Sequence, residues 1–138
     1  MKREDKQLLL QDLCSRLPYR VKVQIPIMND AITLTCGDIS AYFFSPDNKV
    51  FPKPYLRPMS SMTEEESAEL SNIISEWFDK ELFYLTEEPF LEYALSRINY
   101  TISPLLFDWL NAHHFDFRNL LSKGLAIEVT EDNNPYKD

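Results

Sequence analysis

Glycine stands at only two positions, Gly37 and Gly124, in a chain of 138 residues, where average usage of roughly 7% would supply about ten. A dinucleotide-binding fingerprint needs three glycines within six positions, and a phosphate-cradling loop needs two before its lysine. Side chains there would hold the backbone away from the phosphates. The serine elbow of the α/β-hydrolases needs two glycines around its nucleophile. None of these can be built here. At this length the expectation is one domain of ordinary size, residues 1–138, with a single core.

The hydrophobic pattern gives that domain an order. Over residues 3–17, Leu9, Leu10, Leu13, Cys14 and Leu17 recur at helical spacing among charged residues, and Pro18 ends the run, so residues 1–18 read as a helix. The period then drops to two. Tyr19, Val21, Val23, Ile25 and Ile27 alternate with Arg20, Lys22, Gln24 and Pro26, which is a half-buried strand that frays or forms an edge at Pro26. Ala31 to Cys36 and Ile39 to Phe44 read as further strands, with Gly37-Asp38 between them as a turn. Ser45 to Asn48 is a polar turn before the extended piece Lys49-Val50-Phe51. The simplest assembly of residues 19–51 is an antiparallel meander of three or four strands. Pro52, Pro54 and Pro58 make 52–62 an extended strap, since each proline fixes its own φ and biases its predecessor away from the helix.

Residues 63–124 change to helical period. Thr63-Glu64-Glu65-Glu66 is a capping box, and Leu70, Ile73, Ile74, Trp77, Phe78, Leu82 and Leu85 continue on one stripe. Glu81 falls inside that stripe, so either it pairs at the core margin or the helix breaks near Asp79-Lys80. A turn at Thr86 to Pro89 precedes a helix carrying Phe90, Leu91, Ala94, Leu95 and Ile98, and Ser103-Pro104 starts another. Asp116 is placed to cap a short helix from Phe117 to Lys123, which Gly124 closes in the left-handed conformation. Leu125 to Val129 reads as a strand able to return to the sheet, and 130–138 as a frayed tail. The fold class is α+β.

Charge is divided unevenly. Residues 1–57 hold nine Lys/Arg against six Asp/Glu, net +3, whereas 58–138 hold five against sixteen, net −11, for a total of −8. That balance disfavours nucleic acid as a general partner. Cys14 and Cys36 lack neighbours at metal-ligand spacing and read as reduced core thiols, with a disulfide as the alternative. The apolar run Leu8 to Leu10 is too short for a signal segment, and no run nears the roughly 18 residues of a membrane span, so the cytoplasm is the expected address. Asn99-Tyr100-Thr101 is then a chance sequon.

Three groups of residues invite a functional reading. Glu64, Glu65, Glu66, Glu69, Glu76, Asp79, Glu87, Glu88 and Glu92 form an acidic stretch opposed only by Lys80. It is either a solvated helix face or a docking surface for a basic protein, in the extreme a mimic of a nucleic-acid backbone. A paired-carboxylate glycosidase would need one acid in an apolar pocket, which this exposed run does not offer. His113, His114 and Asp116 are the one close set of metal-ligand or acid/base atoms. Adjacent histidines point about 100° apart on a helix, however, and zinc sites on helices favour i, i+4 spacing. Histidines also suit a helix C-terminus for electrostatic reasons alone. Finally, Arg20, Lys22, Lys49, Lys53 and Arg57 interleave with Tyr19, Phe51 and Tyr55, a mixture able to stack the bases of a single strand.

Two long words carry a resemblance. Lys53-Pro54-Tyr55-Leu56-Arg57-Pro58-Met59-Ser60-Ser61-Met62-Thr63-Glu64-Glu65-Glu66 resembles a segment of small uncharacterised proteins encoded in gut-bacterial genomes and their prophages. So does Asp108-Trp109-Leu110-Asn111-Ala112-His113-His114-Phe115-Asp116-Phe117-Arg118, followed by Lys123-Gly124-Leu125-Ala126-Ile127. The leucine-rich opening through Leu17-Pro18 extends the likeness to the N-terminus. The resemblance implies a bacterial or phage cytosolic origin and brings no activity, cofactor or site with it. The functional expectation is a non-enzymatic accessory protein that binds a basic partner through its acidic helical half. The alternatives are a small metal-dependent or hydrolytic enzyme at His113, His114 and Asp116, or single-stranded nucleic-acid binding on the basic sheet face. No cofactor is expected, and the oligomeric state is open.

Overall fold

Tyr19 to Ile27 alternates in sequence, and in the computed structural model, which describes residues 1–77 and 104–137, the middle of that run is strand β1, Lys22–Gln24. Val21, Val23 and Ile25 are buried as the alternation requires, but a turn donates Met28 N–H to the Ile25 carbonyl and leaves Ile27 exposed to solvent. Pro26 therefore ends the strand. Ahead of β1 lies helix α1, Arg3–Arg16, and after it come β2, Ile32–Thr33, helix α2, Cys36–Phe43, and β3, Lys53–Leu56. Helices α3, Glu64–Trp77, and α4, Pro104–Ala112, and strand β4, Ile127–Glu128, complete the described elements. The fold is α+β.

The sheet is mixed, with spatial order β2-β1-β3-β4. β1 is thus an inner strand, so of the two readings of Pro26 the strand ends there and is not an edge. It pairs antiparallel with β2 (Val23 opposite Ile32) and with β3 (Val23 opposite Pro54). β4 returns to the sheet as expected and lies parallel to β3, Tyr55 opposite Ile127. The proline strap is consequently more than a strap, because its first half holds the inner strand β3. Proline is ordinarily confined to sheet edges by its missing N–H. Here β4 joins β3 only from Tyr55 onward, so no bond to β4 is asked of Pro54.

The stretch Ile39 to Phe44 corrects the meander. It is the body of helix α2 and not a strand. Thr35 Oγ1 accepts from Asp38 N–H at 3.2 Å, and Asp38 Oδ2 accepts from Thr35 N–H at 2.9 Å, a reciprocal cap that satisfies two amides and launches the helix. Ile39 and Phe43, four apart, then share the buried face. Beyond α2, Asn48 ties the polar turn together by donating to the Tyr42 and Val50 carbonyls.

The chain divides into two compact units, Met1–Pro58 with His114–Asp138, and Met59–His113. In the first, Leu9 and Leu13 of α1 pack with Val21, Val23, Leu34, Ile39, Phe43 and Phe51. Full burial of each leucine or valine contributes roughly 1.5–3 kcal/mol. A smaller cluster joins Leu56, Leu120 and Leu125, with Leu8 and Ala126 against it. Cys14 and Cys36 are free and exposed rather than core thiols. Phe117 to Lys123 is a series of turns, not a helix, although Gly124 does close it with φ 71°. The tail is tied down: Tyr136 Oη donates to the Tyr55 carbonyl at 2.7 Å and accepts from Lys22 N–H at 3.0 Å. In the second unit α3 packs against α4. The readings at Glu81, at Thr86 to Pro89 and at Phe90 to Ile98 lie outside the described residues. Among the described residues no helix is long and apolar enough to cross a membrane.

Candidate functional site

The start of α3 is built as its sequence requires. Thr63 Oγ1 accepts from Glu66 N–H at 3.1 Å and Glu66 Oε1 accepts from Thr63 N–H at 3.0 Å, so the capping box is formed in both directions. Glu64 and Glu65 fill the first turn, where carboxylates face the positive end of the helix, and their side chains are exposed. Glu66 and Glu69, one helical turn further along, are engaged. Glu66 Oε2 lies 3.3 Å from Nδ1 of His113, and Glu69 Oε2 accepts from Trp109 Nε1 at 3.1 Å. His113 also lies against the Trp109 ring, centroids 4.2 Å apart. Two acids of the stretch therefore clasp α3 to the end of α4, while Glu64 and Glu65 face solvent. Glu76 falls within α3, and Asp79, Glu87, Glu88 and Glu92 lie outside the described residues.

His114 and Asp116, in the sheet unit, are used differently. His114 takes φ 62° and stacks on Tyr136 with centroids 3.6 Å apart and planes within 10°. Its carbonyl accepts from Arg57 N–H at 2.8 Å, and Asp116 N–H donates to the Arg57 carbonyl at 2.8 Å, so residues 114–116 clip onto the end of β3. The Asp116 carboxylate is buried and caps backbone: Oδ1 accepts from Leu120 N–H and Oδ2 from Leu121 N–H, each at 2.9 Å. Its capping role was legible in the sequence, although what it caps is a turn. Among the described residues no group of three His, Cys, Asp or Glu side chains is placed to hold a metal ion.

A polar centre that sequence reasoning missed lies beneath α1. Asp12 and Arg16 are both fully buried, with Arg16 Nε donating to Asp12 Oδ2 at 2.9 Å. Arg118 Nη1 donates to Asp12 Oδ1 at 2.8 Å, and Arg16 Nη2 donates to the Phe115 carbonyl at 2.6 Å. The Phe117 ring lies beneath both guanidinium groups, 5.3 Å from Arg16 and 4.3 Å from Arg118. Burial pulls the Arg118 guanidinium below its ordinary value, against the opposing pull of Asp12 and then Asp116. The available signal was the i, i+4 pair Asp12/Arg16 in phase with Leu9 and Leu13.

The basic aromatic face is largely spent inside the fold. Phe51 and Tyr55 are buried, and Phe51 packs on Phe43 with centroids 5.2 Å apart. The Arg57 guanidinium lies 4.2 Å from the Phe115 ring centroid, and Lys22 Nζ donates to Thr33 Oγ1 at 2.7 Å. Stacking of bases needs exposed rings, and two of the three rings in this set are not exposed. Comparison of the chain with protein-family models, curated proteins and solved structures gives no match.

Proposed function

We propose that the chain is a non-enzymatic accessory protein of phage or mobile-element type that acts in the cytoplasm and docks on a basic partner protein through the acidic face of α3. The observation that carries the reading is the pair Glu64 and Glu65, exposed side by side at the head of α3 in a chain of net charge −8. An acidic patch of this kind accelerates encounter with a basic surface and makes the association sensitive to salt. The alternative at His113, His114 and Asp116 has less support, because the Asp116 oxygens already cap backbone and His113 already meets Glu66 and Trp109.

The test is retention of prey from a gut-bacterial lysate on the immobilised full chain, with identification by mass spectrometry. A Lys/Arg-rich protein held at low salt, released near roughly 0.3 M salt and lost to a Glu64→Gln/Glu65→Gln variant is the expected outcome. Retention that ignores both salt and the double substitution overturns the docking reading. The glutamines keep the helix start intact, which far-UV circular dichroism of the variant checks.

A further inference from the structure

β1 and β3 pair with Val23 opposite Pro54 and Gln24 opposite Lys53, and the same register continued by one residue sets Lys22 opposite Tyr55. There a side chain stands between the strands. Tyr136 Oη accepts from Lys22 N–H at 3.0 Å and donates to the Tyr55 carbonyl at 2.7 Å, while its ring stacks on His114 with centroids 3.6 Å apart. A backbone donor and a backbone acceptor beside a flat ring select one chemistry. A phenol accepts and donates at a single oxygen and also fills the stack, whereas phenylalanine or serine satisfies only half of the slot. The segment that delivers the phenol is otherwise lightly held. Thr130 to Asn133 are exposed and bond among themselves, Thr130 N–H to the Asn133 carbonyl and Asn133 N–H to the Thr130 carbonyl, each at 3.2 Å. Asn134 Oδ1 accepts from Tyr136 N–H, and Lys137 N–H donates to the Asn134 carbonyl. Among the described residues, the hydrogen bonds that join 130–137 to the rest of its unit run through Tyr136.

We propose that the gap between Lys22, Tyr55 and His114 is a tyrosine-binding slot held closed in cis. Tyr136 is its latch, and a tyrosine side chain of another protein takes its place when the 130–137 segment swings out. The slot belongs to the sheet unit and is independent of the acidic face of α3. Exchange breaks and remakes the same two hydrogen bonds and the same stack, so its outcome is set by the local concentration of Tyr136 at the slot against that of the incoming tyrosine. A ligand tethered by a short linker acts at an effective concentration of roughly millimolar. A latch closed for more than about nine-tenths of the time weakens an incoming ligand at least roughly ten-fold, because only the open fraction can bind it.

The experiment titrates the full chain with a synthetic peptide of residues 130–138 and follows the Lys22 amide by NMR. Tyr136→Ala removes the latch and should bind the peptide at least about ten-fold more tightly than wild type, whose slot is filled. A peptide carrying Tyr136→Phe should bind that variant at least about five-fold more weakly, for want of the hydroxyl. Tyr136→Phe in the full chain keeps the ring and loses both hydrogen bonds, so its affinity for the tyrosine peptide should fall between those of wild type and Tyr136→Ala. Equal affinity of wild type and Tyr136→Ala, no binding by a Tyr136→Ala chain that far-UV circular dichroism shows to be folded, or indifference to the peptide hydroxyl would each overturn the proposal. If Tyr136→Ala does not fold, Tyr136→Phe decides: tighter binding than wild type supports the latch, and binding no tighter than wild type sinks it.

Discussion

Replacing Asp12 by Asn removes one charge from a site that water does not reach, and its cost follows from the contacts. Asp12 and Arg16 are both 0% exposed, and both carboxylate oxygens are taken, Oδ2 by Arg16 and Oδ1 by Arg118. Asparagine keeps the shape but offers one carbonyl and an amide NH2, a second donor where guanidinium donors already point. Removing one partner of a buried ion pair costs roughly 3–5 kcal/mol, because the surviving charge is left uncompensated in a low-dielectric setting. Arg118, with 16% of its side chain exposed, can turn to solvent, but Arg16 is pinned to the Phe115 carbonyl and cannot. We expect the cost to fall in that range, against a total stability for a domain of about 5–15 kcal/mol.

Urea and thermal unfolding followed by circular dichroism are the assays, and a drop in Tm on the order of 10–20 °C is expected. Arg118→Gln should cost clearly less than Asp12→Asn, because its neighbourhood is partly wet. A charge-free Asp12→Leu/Arg16→Met pair should also cost less than Asp12→Asn alone, since no buried charge is stranded. An Asp12→Asn variant within about 1 kcal/mol of wild type, or one milder than Arg118→Gln, would refute the account of Arg16 as a charge held by Asp12.

Tyr136→Phe strands Lys22 N–H and the Tyr55 carbonyl, both partners of the phenol, and should cost roughly 1–3 kcal/mol, read from urea midpoints. Burial pushes the Tyr136 phenol well above its ordinary range, so its contribution is complete below about pH 10 and is lost as pH rises further. Wild-type stability should therefore fall more steeply above that pH than that of Tyr136→Phe, and parallel curves would count against the buried phenol. Thr63→Ala removes the hydroxyl that accepts from Glu66 N–H and should destabilise α3 by about 1 kcal/mol, measured as lost thermal stability by far-UV circular dichroism.

Where local rules act alone, the residues were readable. The Thr63 to Glu66 box, the closing Gly124, the buried alternation Val21, Val23, Ile25 and the return of β4 all follow from short-range patterns. Two elements differ from the expectation because an apolar count competes with polar pairing. Ile39 to Phe44 fits alternation over a few residues, but Thr35-x-x-Asp38 is a reciprocal cap, and two satisfied amides outweigh a weak preference for strand. In α1 the apolar count over Leu9, Leu10, Leu13, Cys14 and Leu17 turned the helix by one position from its true buried face of Leu9, Asp12, Leu13 and Arg16. Charge type alone cannot show that Asp12 and Arg16 are paired and buried, and their remaining partners, Arg118 and the Phe115 carbonyl, lie about a hundred residues away in sequence. The inner strand at Pro54 was hidden for a similar reason, because its fitness depends on where β4 begins to pair.

Glycine scarcity connects these misreadings to the candidate site. A left-handed backbone costs a residue with a Cβ roughly 1–2 kcal/mol, and a chain with two glycines must accept that cost wherever a turn demands it. Arg20, His114 and Asn119 all do so, at φ 56°, 62° and 60°. Such strain persists only where the surroundings over-determine it. Arg20 N–H donates to the Leu17 carbonyl, and His114 is held by its stack on Tyr136 and by Arg57. Asn119 sits between Asp116 and the Leu120 and Leu121 amides that this carboxylate gathers. Histidine and asparagine are among the residues that best tolerate this conformation. The arrangement from His114 to Asn119 therefore serves as a turn assembled without glycine, and the same scarcity that excludes phosphate-cradling loops explains why polar residues gather there.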